Sequence, residues 1–427
     1  MKNVGALSIL FLYLIPVVHA EGFISALEME GYPQKITKTL QGIRFDSNYD
    51  NGSLQDVKET GADTFECLLF TEIGEIGPKA FWFRFRMKGV AGRYITLLLN
   101  HRTNPKPVIS LDGKNWRRLT EAEAPSTREL VLSFAPDENE AELAFFFPLG
   151  VEETYNRVKE YVARTREADW EIIGQSFEGR DMGMVTVGDP PYPNYRKRRV
   201  WVQSRAHAGE ATAAHTILGF LDMITSNAPE ARLLRQNCIF HVIPIINVDG
   251  VYLGLSRWDS QGIDPEHIWG NPYRIPETTH TREKIDLFMR SSNPIEVSLN
   301  LHSTERNASD TFFVKHDYPS VTKKFEEIQQ RYIDALDHAT PLFENLSPSS
   351  SQLHESNYLE SYFWSNWGEK VMAMTHEGHF YRRACDGEWI TDEDYHALGR
   401  AMALALIEYF DLAEETVLSE NPFWMLF

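Results

Sequence analysis

His207 and Glu210 are residues of metal-ligating type three positions apart, at a point where the chain changes character. Before them Val200, Trp201 and Val202 read as a buried strand. After them Ala211 to Ile224 has the apolar spacing of a helix laid on a sheet, and Gly209 permits the tight turn between the two. A His-x-x-Glu sequence alone is a weak signal, because His280-Thr-Arg-Glu283 and His302-Ser-Thr-Glu305 repeat it. Context selects among the copies, since open α/β sheets place their sites beyond the carboxyl ends of their strands. Ile295-Glu-Val-Ser-Leu-Asn-Leu-His302 brings a further imidazole to the end of an alternating run, whereas His280 has no strand pattern before it. Two imidazoles and one carboxylate suit Zn²⁺ and leave a position open, the arrangement of a catalytic rather than a structural zinc. One Zn²⁺ per chain, held by His207, Glu210 and His302, is therefore expected.

The order of His207-x-x-Glu210, Asn247-Val-Asp-Gly250, Arg257, Leu301-His302 and Thr375-His-Glu377 resembles the zinc carboxypeptidase family of carboxypeptidase A type, most closely its cytosolic carboxypeptidase-like branch. The likeness spans Gly174 to Tyr409, and the segment before it resembles the β-sandwich that precedes the catalytic domain in that branch. The resemblance implies that Glu377 is the general base for a zinc-activated water and that Arg257, seven positions before Asp264, stabilises the oxyanion. It also implies a substrate-facing tyrosine, for which Tyr358 and Tyr362 are both candidates. His376 and His379 flank Glu377, but adjacent strand residues face opposite ways, so at most one side serves it. Val248 stands where the family usually has proline. The resemblance breaks at Asp264-Pro-Glu-His267, where the family normally reads Asp-Leu-Asn-Arg and uses the asparagine and arginine to hold a terminal carboxylate. Glu266 and His267 take those substrate-binding places, so another cation would have to receive the carboxylate, Arg274 and Arg282 being near in sequence.

The elements that must position these groups follow from patterning. Residues 21–150 alternate short β-rich runs with turn signals and read as an antiparallel β-sandwich. Phe81-Trp-Phe-Arg-Phe-Arg86 alternates with its aromatics to one face and arginines to the other, and Asp112-Gly-Lys-Asn115 offers hairpin chemistry. Glu152 to Thr165 reads as a connecting helix, with no Gly/Ser-rich linker, which predicts a packed interface between the halves. Residues 151–427 alternate strand and helix patterns, predicting an α/β/α domain with a mixed, mostly parallel sheet. Asn247-Val-Asp-Gly250 is expected as a turn, and Leu342 to Asn357 as a surface loop.

The chain has 427 residues, enough for two domains, and 61 Asp and Glu against 42 Lys and Arg give a net charge of −19. That charge excludes nucleic acid as a partner, since such binding depends on clustered Lys and Arg, and it argues against acidic tails as the main substrate. A peptide or amide substrate is the expected partner. Residues 1–20 read as a signal peptide, with Lys2, an apolar run from Val4 to Val18 and a cleavage site at Val18-His-Ala20, which predicts a secreted or periplasmic protein. No stable membrane span is expected once it is removed. Cys67, Cys238 and Cys385 read as buried apolar thiols rather than a disulfide framework. The leading expectation is a zinc-dependent metallocarboxypeptidase-like hydrolase. Its alternatives are a zinc amidase or peptidase acting on substrates without a free α-carboxylate, such as a modified peptide or cell-wall fragment, and an inactive binding protein that uses the sandwich as its recognition surface.

Overall fold

The computed structural model describes Tyr32 and residues 35–74, 77–103, 105–189, 196–270, 275–304, 311–343, 349–351 and 357–412. The expected leader at residues 1–20, together with Arg274 and the ending Pro422 to Phe427, lies outside the described residues.

The first part of the chain folds into β1 (Thr37–Leu40), β2 (Ile43–Asp46), β3 (Asp56–Gly61), β4 (Thr64–Leu68), β5 (Glu72–Gly74) and β6 (Gly77–Lys79). It continues with β7 (Arg84–Lys88), β8 (Tyr94–Leu99), β9 (Val108–Ser110), β10 (Trp116–Arg118), β11 (Glu129–Ser133) and β12 (Glu140–Ala144). One sheet has the order β1-β2-β7-β12-β9-β10 and the facing sheet β11-β8-β4-β3, with β5 and β6 as a separate hairpin. Period-2 alternation puts Ile95, Leu97 and Leu99 of β8 inside while Tyr94 points out. The pairing is antiparallel as expected except between β4 and β8, which run parallel. The arginines share the face opposite Phe83 and Phe85 as expected, both reaching Glu142, but Arg84 is not exposed there. It is buried, and its Nε donates to Glu142 Oε1 at 2.6 Å, while Arg86 reaches the other oxygen of the same carboxylate at 3.1 Å.

Helix α1 (Val151–Val162) leads into the second part. Its strands are β13 (Ala168–Gln175), β14 (Asp181–Val187), β15 (Arg198–Ser204), β16 (Cys238–Ile243), β17 (Ile295–Ser303), β18 (Phe312–His316), β19 (Ser349–Ser351) and β20 (Met372–Gly378). The helices are α2 (Ala211–Thr225), α3 (Pro229–Asn237), α4 (Val248–Leu253), α5 (Pro276–Met289), α6 (Lys323–Ala339), α7 (Leu359–Trp367) and α8 (Asp392–Tyr409). The strands form one sheet in the order β13-β14-β16-β15-β17-β20-β18-β19. Its centre, β16-β15-β17-β20, is parallel, and antiparallel pairing flanks it.

Alternation along the central strands divides the core in two. Val200, Val202, Val297, Leu299 and Met374 face α2, α6 and α8, while Trp201, Ile243, Ile295 and Ala373 face α5 and α7. Helices therefore cover both faces, as the mixed α/β/α reading requires. α2 and α8 cross with almost no space between backbones: a Cβ on Gly219 would lie 2.1 Å from His396 O, and one on Gly399 1.9 Å from Thr216 O. The capping box of Thr391 and Asp394 fixes where α8 begins. The sandwich core and the α2/α8 core are continuous through Phe145, Phe146 and Phe380, whose rings lie 5.0 and 5.3 Å apart, so the interface is packed as the missing linker implied.

Three local expectations are corrected. Asn247 to Gly250 is the start of a short helix rather than a simple turn, because the Asn247 side chain accepts the Gly250 N–H at 2.8 Å and caps α4. Leu342 to Asn357 includes β19, which pairs parallel with β18. Cys67 and Cys238 are buried, but Cys385 is exposed.

Candidate metal centre

The parallel strands deliver the metal-ligating side chains together at their carboxyl ends. β15 stops at Ser204, and Arg205 takes a left-handed conformation (φ 57°) that turns the chain into the His207–Glu210 loop. That loop is held from outside by Gly209, whose N–H donates to Ser256 O at 2.8 Å. A Cβ at 209 would sit 2.8 Å from both Ser256 O and the Phe81 ring, so the close approach demands glycine. β17, beside β15, carries His302, and β20, beside β17, carries Glu377 directly opposite His302 in the register.

His207 Nδ1 lies 2.8 Å from Glu210 Oε1, His302 Nδ1 lies 2.9 Å from Glu210 Oε2, and the two Nδ1 atoms are 3.1 Å apart. All three residues are buried, and among the described residues they are the group of ligand-type side chains that could hold a metal ion. Donor atoms bound to one tetrahedral Zn²⁺ stand roughly 3.4 Å apart, given bonds of about 2.1 Å. The spacing and the chemistry of the set therefore fit zinc.

The opposite side of each ring is also occupied. His207 Nε2 meets Asp264 Oδ1 at 3.1 Å, and His302 Nε2 faces Glu266 Oε2 at 3.3 Å. Burial would raise the Asp264 carboxyl, but His207 and Arg257 outweigh it and hold the group well below the usual carboxylate range. Glu210 is likewise held low against burial by His207 and His302. Burial opposes a charged His302, yet Glu210 and Glu266 keep its affinity for a proton well above the ordinary value.

Glu377 behaves differently from these acids. Its Oε2 is buried with no hydrogen-bond partner among the described residues, and burial followed by the Glu210 charge pushes its carboxyl up to about 7. Arg257 is half-buried, its Nε donates to Asp264 Oδ2 at 2.8 Å, and the carboxylates of Asp264, Glu210 and Glu377 keep it charged against the effect of burial. His376 packs edge-on against Phe313, and burial, then His379, lowers it to about 3; its ring nitrogens have no partner among the described residues. His379 is lowered to about 4 by burial and accepts the Tyr381 N–H at 3.1 Å.

The residues expected to bind substrate separate into two groups. His267 and Tyr358 are half-buried near the site, their rings edge to face with centroids 4.8 Å apart. Glu266 and Tyr362 are corrected. Glu266 is buried behind His302, where Oε1 accepts Asn300 Nδ2 at 3.0 Å and the Leu359 N–H at 3.1 Å. Tyr362 is packed between Trp269 and Trp367, and its hydroxyl donates to Asp286 at 2.7 Å and accepts from Arg282 at 2.9 Å. Arg282 also donates to Trp269 O at 3.0 Å, so it is engaged in the fold rather than available as a substitute cation. Arg274 lies outside the described residues.

Sequence reasoning missed Asn300, Glu360 and Glu72. Asn300 precedes His302 by two on the same face of β17, and this period of two was a readable signal. Glu360 accepts Thr375 Oγ1 at 2.9 Å, and burial, then the Glu266 charge, lifts it to about 7. Glu72 comes from the sandwich, and its carboxylate accepts the backbone N–H groups of Arg257 at 2.5 Å and Trp258 at 3.2 Å. Nothing local marks Glu72, because its partners lie far along the chain.

A zinc carboxypeptidase family model matches residues 160–368, and a cytosolic carboxypeptidase N-terminal domain matches residues 45–146. Glu377 lies beyond the first of these stretches. Cytosolic carboxypeptidase 6 of Mus musculus is 27% identical over 301 residues, covering 62% of this chain and 54% of that protein. An uncharacterized protein of Zymomonas mobilis is 24% identical over 316 residues, covering 71% of this chain and 78% of that protein. The chain thus spans about half the length of the curated mouse relative. The crystal structure of a metallo-carboxypeptidase from Burkholderia cenocepacia superposes with a TM-score of 0.76 at 22% identity, covering 86% of this chain and 99% of that one. A metallo-carboxypeptidase from Pseudomonas aeruginosa gives 0.73 at 19% identity, with the same coverage of this chain. These structures share the fold. The expectation of a secreted or periplasmic protein is corrected by the same comparisons, since the N-terminal domain is of the cytosolic carboxypeptidase type and the named relatives are cytosolic carboxypeptidases. No helix among the described residues is long and apolar enough to cross a membrane. With both domains matched and the two histidines and the glutamate converging where the central strands end, the chain belongs to the zinc carboxypeptidase family as a zinc metallopeptidase that carries the N-terminal domain of the cytosolic carboxypeptidase type.

Proposed function

We propose that this protein hydrolyses a peptide or amide bond beside one Zn²⁺ held by His207, Glu210 and His302, with Glu377 as general base and Arg257 as oxyanion partner. The observation that carries this reading is the unpartnered Glu377 Oε2 on the strand next to three converging donors. When bound, the metal supplies Lewis acidity and makes water a nucleophile near neutral pH. Glu377 receives a proton on its carboxylate and passes it to the leaving nitrogen. Arg257 is aimed by its Nε bond to Asp264, which leaves the outer edge of the guanidinium for charge developing on the scissile carbonyl. Within this reading, residues 21–150 form the sandwich domain and residues 151–427 the catalytic domain.

Substrate choice turns on the Asp264–His267 turn. A metallocarboxypeptidase needs a cation for the terminal carboxylate, yet among the described residues, which do not include Arg274, Glu266 faces His302, Arg282 is engaged by Tyr362 and Trp269, and His267 Nδ1 stands 3.7 Å from Asp264. These contacts favour a substrate whose reacting end is uncharged or cationic. An arginine–carboxylate contact is worth roughly 1.5–3 kcal/mol, so a site without one forgoes about ten- to a hundredfold or more of preference for a free acid. The test is turnover of matched peptides with free and amidated ends, measured before and after zinc is stripped and restored. Zinc-dependent cleavage with less than about tenfold preference for the acid is expected. A protein that binds zinc but turns over neither peptide class would point instead to a binding role.

A further inference from the structure

We propose that Glu266 is a positioning residue for His302, so that one short turn grips the outer nitrogens of both metal-ligating imidazoles. The proposal rests on the metal reading above. Asp264 Oδ1 is 3.1 Å from His207 Nε2, and Glu266 Oε2 is 3.3 Å from His302 Nε2. Among the described residues neither Glu266 Oε2 nor His302 Nε2 has a hydrogen-bond partner, their 3.3 Å approach being an ion-pair distance without hydrogen-bond geometry, and both residues are almost completely buried, so each is the group available to the other. An imidazole that donates its outer N–H to a carboxylate is locked in the tautomer whose inner nitrogen carries the lone pair, and is a stronger ligand for it.

Neighbouring hydrogen bonds fix which way Glu266 must act. The Trp201 indole can only donate, and its Nε1 meets Gln203 Oε1 at 3.0 Å, which turns the Gln203 amide nitrogen toward Asn300 Oδ1 at 3.2 Å. Asn300 is thereby oriented with its Nδ2 toward Glu266 Oε1 at 3.0 Å, and the Leu359 N–H donates to the same oxygen at 3.1 Å. With Oε1 saturated by two donors, Oε2 is left to aim at His302.

A glutamine at 266 makes the sharp test. Its oxygen would keep the Asn300 and Leu359 bonds, while its NH₂ would face His302 Nε2 and favour the tautomer with a proton on Nδ1, the wrong one for a metal ligand. Zinc affinity, read by competition with a chromophoric chelator and needing no substrate, is expected to fall about ten- to a hundredfold in Glu266→Gln. Glu360→Gln, at a neighbouring buried acid whose hydrogen bond is accepted from Thr375 Oγ1, should stay within about twofold of wild type. Cobalt(II) substitution gives a second readout, with a shifted d–d spectrum expected in Glu266→Gln and an unchanged one in Glu360→Gln. Wild-type zinc affinity and cobalt spectrum in Glu266→Gln would overturn the proposal, as would an effect confined to KM for peptides with a free carboxyl end. Should Glu266→Gln not fold, Glu266→Asp decides: a retracted carboxylate that costs at least about threefold in affinity supports the role, and unchanged affinity refutes it. Wild-type protein that binds no zinc at His207, Glu210 and His302 would remove the metal reading itself, whereas a failure of hydrolysis with zinc affinity behaving as described would leave Glu266 in its role.

Discussion

On one side of the site, His207, Glu210 and His302 turn their donor atoms toward one another, and Asp264 and Glu266 back the two rings. On the other side, where a substrate's end would lie, Tyr362 and Arg282 bind each other and the surrounding fold, and His267 leans on Asp264. The first side is a set of charges that satisfy one another in burial, which is the condition under which buried charge persists. On the second, the described polar groups are bonded into the surrounding fold instead of converging on one point. The contrast teaches that, in the proposed reading, the groups placed for bond cleavage and those placed for recognising a substrate's end belong to separate networks of contacts.

Four substitutions and one control, His280→Ala, probe that contrast, taken from the largest expected effect to the smallest. His302→Ala should reduce zinc from one per chain to near none by metal analysis, whereas His280→Ala, half-exposed and loosely paired with Glu283 at 3.8 Å, should leave it intact. The reverse result would break the assignment of the metal side altogether. Glu377→Gln should keep the metal and reduce kcat by roughly two to four orders of magnitude in steady-state assays. Retained activity there would remove the base from the cleavage machinery. Arg257→Ala should lower kcat by about a hundred- to a thousandfold, and a change in KM alone would move Arg257 to the recognition side. His267→Arg should shift selectivity toward free-acid peptides by about tenfold, measured as a ratio of kcat/KM on matched substrates. An unchanged ratio would mean that the recognition side lies elsewhere.

The metal side was legible because strand-end position and residue type coincide. Val200 to Val202 and Ile295 to Leu301 announced buried strands, and each ended on a ligand-type residue, which separated His207 and His302 from His280. The recognition side was misread at Glu266 because sequence order gives a residue's place in a turn, not the direction of its side chain. That direction comes from Asn300 and Leu359, which lie on β17 and α7. Tyr362 was a candidate by position alone, and its burial with Trp269 and Trp367 depends on how α7 packs. Asn247 shows the same limit at short range: its Asp-Gly sequence suited a turn, but a side-chain cap on the Gly250 N–H extended it into a helix.

Glu72 and Phe81 give the sandwich a part in the site that strand count does not convey. Through the Glu72 carboxylate it holds the peptide groups of Arg257 and Trp258, and through the Phe81 ring it presses on Gly209 between His207 and Glu210. The two domains are therefore not interchangeable modules. A sandwich grafted from a distant relative would fit this catalytic half only if it brought an acceptor to the loop of Arg257 and an aromatic surface to Gly209, so a graft would have to carry those contacts with it.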